Sequence, residues 1–160
     1  MTSLVLTIMS IALLAAMALA TVSYLPADTD SISTAQSQVS AGFISLQNGY
    51  NAYVAATGSV PTTANWSSVL TPQYVFLPAA PLNTSWAYTA GAPYSGSATG
   101  NYFCLSGTMN QAQYTGMINA ARQFSPQAFF YGSACGATSD AATPTTWPAT
   151  VAVTFWVYAN

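Results

Sequence analysis

Few side chains in this 160-residue chain can do chemistry. The charged residues are Asp28, Asp30, Arg122 and Asp140; the sequence contains no Glu, Lys or His. General acid–base catalysis needs a group that titrates near the working pH, most often His, Glu, Asp or Lys. Three scattered Asp residues and one Arg offer no such arrangement. The same shortage argues against a zinc site built from His and Cys and against a calcium loop. A single cation makes no footprint for a phosphate backbone, so no direct nucleic-acid site is evident. The chain reads as a non-enzyme with no resident cofactor. Its remaining reactive groups are Cys104 and Cys135, whose wide spacing lacks a Cys-x-x-Cys pattern. In an exported chain their expected use is an intramolecular disulfide. On the loop-entropy account, closing about 30 residues contributes ~3–4 kcal/mol. The alternative is a pair of buried free thiols.

Charged residues make up 2% of the chain, against roughly 25% in ordinary soluble domains. Polarity comes instead from Ser, Thr, Asn and Gln. A net charge of -2 gives copies little mutual repulsion, which suits a subunit that lives packed against itself. A habitat of extreme pH or salinity would favour the same neutral surface.

The elements that must position these residues begin with an uncharged run, Met1 to Leu25. It is close to the roughly 20 residues a helix needs to cross a bilayer, so membrane insertion is expected. Its hydroxyls, from Thr2, Ser3, Thr7, Ser10, Thr21 and Ser23, can bond back to carbonyls one turn earlier. The rival reading is a cleaved secretory signal, because Ala18-Leu19-Ala20 has a small-x-small pattern. The lack of Lys or Arg ahead of the apolar stretch, in a chain starting at Met1, favours a retained segment. Pro26 should break or kink the helix, and Asp28, Thr29 or Asp30 can cap its restart.

Beyond the break, Ile32, Val39, Phe43, Leu46, Tyr50 and Tyr53 recur at helical spacing, opposite Ser33, Gln36, Ser37, Ser40, Gln47 and Asn51. This predicts an amphipathic helix over 28–58 lying across a sheet. Gly58 is its natural end, although Asn48-Gly49 also has the look of a turn. The chain divides into an apolar N-terminal helix, 1–27, and a globular domain, 28–160. Between Ser59 and Gly100 the five prolines and many small residues predict a long surface connection with short elements, including a strand near Trp86–Thr89. A strand over Asn101–Ser106, a helix from Asn110 to about Phe124 and a strand over Gln127–Tyr131 follow. The tail Ala149–Tyr158 alternates, with Val151, Val153, Phe155 and Val157 on one face. The expected class is α+β, a long helix packed on a small antiparallel sheet. The disulfide should then tie two neighbouring strand regions across the intervening helix.

This order of parts resembles a type IV pilin over the whole chain. Tyr102-Phe-Cys-Leu-Ser-Gly107 followed by a helix and by Ser133-Ala-Cys-Gly136, together with Met1 in place of Phe, is most similar to the type IVb branch and its conjugative-pilus relatives. The resemblance implies a major pilin in mature form, its basic leader removed by prepilin peptidase and its new N-terminus methylated. It implies an inner-membrane helix before assembly, then an extracellular homopolymer on a bacterial surface, built with the pilus assembly machinery. The implied filament core is the apolar stem: Met1, Leu4, Val5, Leu6, Ile8, Met9, Ile11, Leu13, Leu14, Met17, Leu19 and Val22. The Ser59–Gly100 connection and the disulfide-bounded region are the implied neighbour contacts. Pilins commonly carry Glu at the fifth mature position to neutralise a neighbour's N-terminal amine, where this chain has Val5. Thr2, Ser3 or Thr7, water, or a modification would then serve the amine.

That departure keeps a second expectation open: a minor tip pilin, or a membrane-anchored extracellular domain that binds a surface or glycan ligand. Trp66, Trp86, Trp147 and Trp156 are the candidate sugar platforms, with core and interface packing the favoured use. Asn65-Trp-Ser67 and Asn83-Thr-Ser85 match the N-glycosylation pattern, and Thr138–Thr150 has the composition of an O-glycosylated or simply polar loop.

Overall fold

The computed structural model describes residues 27–81, 83–95 and 98–159. Met1, Leu4, Val5, Leu6, Ile8, Met9, Ile11, Leu13, Leu14, Met17, Leu19, Val22 and Pro26 lie outside the described residues. Among the described residues no helix is long and apolar enough to cross a membrane. Ser31–Asn160 pack as one unit.

The expected amphipathic helix is α1, Ala27–Thr57. Asp28, Thr29 and Asp30 are already helical, so they act within the first turn, where carboxylates favour the positive end of the helix dipole, rather than as an N-cap. Val39, Phe43, Leu46 and Tyr50 are buried, at the three- and four-residue steps that keep one face inward. Ile32 and Tyr53 are half-buried at its ends. Asn48-Gly49 is no turn. Gly42 and Gly49 sit inside the helix because a Cβ there would strike the indole of Trp86 and the side chain of Val75 respectively. Close approach outweighs the roughly 1 kcal/mol of helix propensity lost at each glycine. Gly58, at φ 66°, ends the helix, and its N–H donates to Val54 O at 2.8 Å, the left-handed cap that β-carbons disfavour.

After α1 come a short helix α2, Trp66–Leu70, strand β1, Thr84–Ser95, strand β2, Ala98–Met109, helix α3, Gln111–Ala121, strand β3, Phe129–Gly132, and strand β4, Ala149–Ala159. The four strands form one antiparallel sheet in the order β1-β2-β4-β3. The class is therefore α+β, a long helix with a four-stranded antiparallel sheet. α3 opens on a capping box, Asn110 Oδ1 accepting from Gln113 N and Gln113 Oε1 from Asn110 N. It ends at Ala121, with Arg122 as its cap, three residues short of the expected Phe124. Gly116 of α3 lies against α1, where a Cβ would meet Ile32 O and come within 2.9 Å of the Ala35 Cβ.

The region from Ser59 to Gly100 departs most from expectation. Up to Asn83 it is the expected connection with a short element, α2, although Pro61, Leu70, Val75 and Pro81 are buried; the departure is β1, which runs for 12 residues, well beyond Trp86–Thr89. The region's prolines had pointed to loop. Pro93 is tolerated because it sits at the sheet edge, between two register shifts of the β1–β2 pairing, where a missing N–H breaks little of the ladder. At the first shift, Gly91 N donates to Asn101 Oδ1, and Asn101 Nδ2 donates to Tyr50 Oη at 3.1 Å. A single buried amide thus joins the bulge to α1.

Phe43 is at the centre of the core, with ring centroids 4.9 Å from Trp86 and 5.4 Å from both Phe129 and Phe155. Residues that pair across the strands continue the packing. The row Tyr88, Phe103, Phe155 and Phe129 spans all four strands and faces α1. The next row, Ala87, Cys104, Thr154 and Phe130, faces the other way, as the two-residue period of a strand requires.

Candidate functional site

Three kinds of feature bear on function: the disulfide, the exposed apolar side chains, and the few charged groups. Cys104 and Cys135 are bonded, with Cα atoms 5.8 Å apart, so the free-thiol alternative falls. The geometry differs from expectation, because the disulfide does not join neighbouring strands. β4 separates β2 from β3, and Cys135 lies in the loop after β3. The bond therefore draws that loop across β4 on the face away from α1. There Gly136 N and Ala137 N both donate to Thr154 Oγ1, at 2.9 and 3.2 Å, and Trp156 Nε1 donates to Ala137 O at 2.9 Å. Tyr102, Cys104, Ala152 and Trp156 form a second buried cluster beneath, with Tyr94 and Tyr102 each 4.8 Å from the Trp156 ring.

All four tryptophans are committed to packing and none is exposed. Trp66 meets Tyr88 and Phe103, Trp86 meets Phe43, Trp147 meets Tyr114, and Trp156 is covered as described. Trp86 Nε1 also donates to Pro78 O at 2.9 Å. Core packing, the favoured reading, accounts for each. The exposed large apolar residues among those described are instead Phe76, 82% exposed, Leu77, Val60 and Ile44. Phe76 and Leu77 fall inside the Ser59–Gly100 region, between Pro72 and Pro78. No sequence periodicity marks them; only the burial of Val75 beside them shows that the segment turns its next two side chains to solvent.

Along α1 a shallow groove of about 630 Å³ is lined by Ser33, Ser37, Ser40, Ala41, Ile44 and Gln123, among others. Ser40 belongs to the expected polar face yet is buried, because its hydroxyl donates to Gln123 Oε1 at 2.6 Å. Of the two glycosylation candidates, Asn65 is half-buried and its Oδ1 accepts from Thr62 N at 2.8 Å. Asn83 is exposed at φ 63°, its carbonyl accepting from Thr108 N.

Asp28 and Asp30 are exposed on α1. The other two charged residues converge on one place. Arg122 at the end of α3 and Asp140 in the loop after β3 line a cleft of about 380 Å³, with Tyr131 between them in sequence and Ile118, Ala121, Phe124, Pro126 and Phe129 as its apolar walls. Asp140 Oδ1 accepts from Tyr131 N at 3.1 Å. The Tyr131 phenol is held above its ordinary range, first by burial and then by the nearby Asp140 and Tyr114, with Arg122 pulling the other way. The Tyr88 phenol is pushed up further by burial and by Tyr50. Neither tyrosine is poised to act as a base near neutrality. No group of three His, Cys, Asp or Glu residues able to hold a metal occurs among the described residues. The sequence signal for this cleft was scarcity itself: in a chain with one cation, the place where that cation sits deserves the first question.

In comparison with known proteins, no family model, no curated protein and no solved structure matches the chain.

Proposed function

We propose that this chain is a structural subunit of an extracellular filament of the type IV pilus kind, polymerising through the apolar residues of Met1–Leu25. The observation that carries the reading is the order of parts. An uncharged apolar run precedes α1, whose inner face packs on a four-stranded antiparallel sheet, and a disulfide in the C-terminal half fastens the far side of that sheet. Before assembly the apolar stem sits in the inner membrane; in the filament it exchanges lipid for the stems of its neighbours. Helices in a bilayer associate through packing rather than through exclusion of water, so the cell's assembly machinery supplies the drive. The low charge and the exposed Phe76 and Leu77 support contacts between copies, since an uncharged surface resists association weakly.

Val5 in place of Glu favours a second reading, a minor tip subunit or a membrane-anchored binding domain. Electron microscopy of the native full-length protein separates the two. Uniform filaments made mainly of this chain are expected. The double substitution Phe76→Ser and Leu77→Ser should give shorter filaments while leaving the unfolding of the isolated subunit unchanged. Protein that stays monomeric after detergent removal, with its N-terminal stem intact, would overturn the filament reading.

A further inference from the structure

The cleft between the end of α3 and β3 gathers the sole cation of the chain and one of its three carboxylates. The Arg122 guanidinium is exposed and makes no hydrogen bond or ion pair among the described residues. We propose that this cleft binds an acidic sugar residue of a polysaccharide, with Arg122 taking the carboxylate, Asp140 and Tyr131 the ring hydroxyls, and the wall of Phe124 and Pro126 the C–H face. The inference goes beyond the filament reading and does not depend on it.

Each group restricts the ligand. A guanidinium presents a fork of donors matched to a carboxylate. An ionised Asp only accepts hydrogen bonds, so whatever meets Asp140 must donate, as ring hydroxyls do. The bond from Tyr131 N to Asp140 Oδ1 holds the carboxylate in place. Tyr131 carries a protonated phenol at physiological pH, able to donate and to accept. Phe124 stacks parallel on Phe129 at 5.4 Å, so the apolar wall is braced from behind. Arg122, Pro126 and Asp140 are all exposed, which places the polar groups at the rim and lets a polymer run on past the cleft. A volume of about 380 Å³ is in the range of small-ligand sites.

The test is titration of the full-length protein in mild detergent with trigalacturonate, against the neutral trigalactose, followed by amide chemical shifts. Trigalacturonate should bind with a Kd of about 0.1–1 mM and shift the amides around Arg122, Tyr131 and Asp140, while the neutral trimer should bind at least about tenfold more weakly. Arg122→Gln should abolish that preference, and Asp140→Asn should weaken the neutral trimer, whose hydroxyls lose a charged acceptor. Near-UV circular dichroism checks that the variants fold, and filament formation by Arg122→Gln keeps this result separate from the filament reading. Equal binding of the two trimers, no binding up to about 10 mM, shifts confined to other surfaces, or stronger binding of free phenylalanine or pyrophosphate would each overturn the proposal.

Discussion

On the helix side of the sheet, Tyr88, Phe103, Phe155 and Phe129 form one cross-strand row; one residue along, Ala87, Cys104, Thr154 and Phe130 form the next row on the opposite face. Phe103, Phe155, Cys104 and Thr154 are all buried, yet what covers them differs. The inner row is sealed by α1 through non-directional contact among large rings and aliphatic side chains. The outer row is sealed by a few residues of loop, held by one covalent bond and three hydrogen bonds. Burial of large area tolerates exchange of shape at similar volume. A directional clasp depends on particular atoms, and loss of one leaves a buried polar group without its partner.

The largest effect should come from the inner face. Phe43→Ala removes the ring that touches Trp86, Phe124, Phe129 and Phe155, and should lower unfolding free energy by about 3–5 kcal/mol. Denaturant unfolding of the full-length protein in detergent reads this, and a loss near zero would mean that α1 is not the main cover of the sheet. Reduction of Cys104–Cys135 comes next, at about 3–4 kcal/mol on the loop-entropy account. Its mark should be local: proteolysis of the 133–137 loop and a change in Trp156 emission, ahead of any loosening of the inner core. Unchanged protease sensitivity after verified reduction would erase the contrast between the faces. The smallest effect belongs to Thr154→Val, which keeps the shape and removes the acceptor shared by Gly136 N and Ala137 N. About 1–2 kcal/mol is expected, with faster hydrogen exchange at those two amides and no change at the amides of α1.

Much of the fold was legible along the chain. The spacing of Val39, Phe43, Leu46 and Tyr50 gave α1 its buried face, Gly58 gave its end, and the alternation of Val151, Val153 and Phe155 gave β4. These are local patterns with a period, and a period survives in sequence. The errors share another cause. Asn48-Gly49 looked like a turn because Val75, the side chain that Gly49 makes room for, comes from elsewhere in the chain. The prolines of Ser59–Gly100 looked like loop because the edge position of β1 is a property of the sheet. The disulfide partners were foreseen, but its path over β4 was not, since strand order cannot be read from two cysteines.

The same division holds for the candidate site. That the chain has almost no charge, and so little means for acid–base chemistry, followed from composition alone: residue types are fixed before folding. That Arg122, Tyr131 and Asp140 meet over an aromatic wall, while Phe76 and Leu77 face solvent, was decided by tertiary structure. Convergence of side chains from a helix end, a strand and a loop depends on how those elements pack, and no local period encodes it.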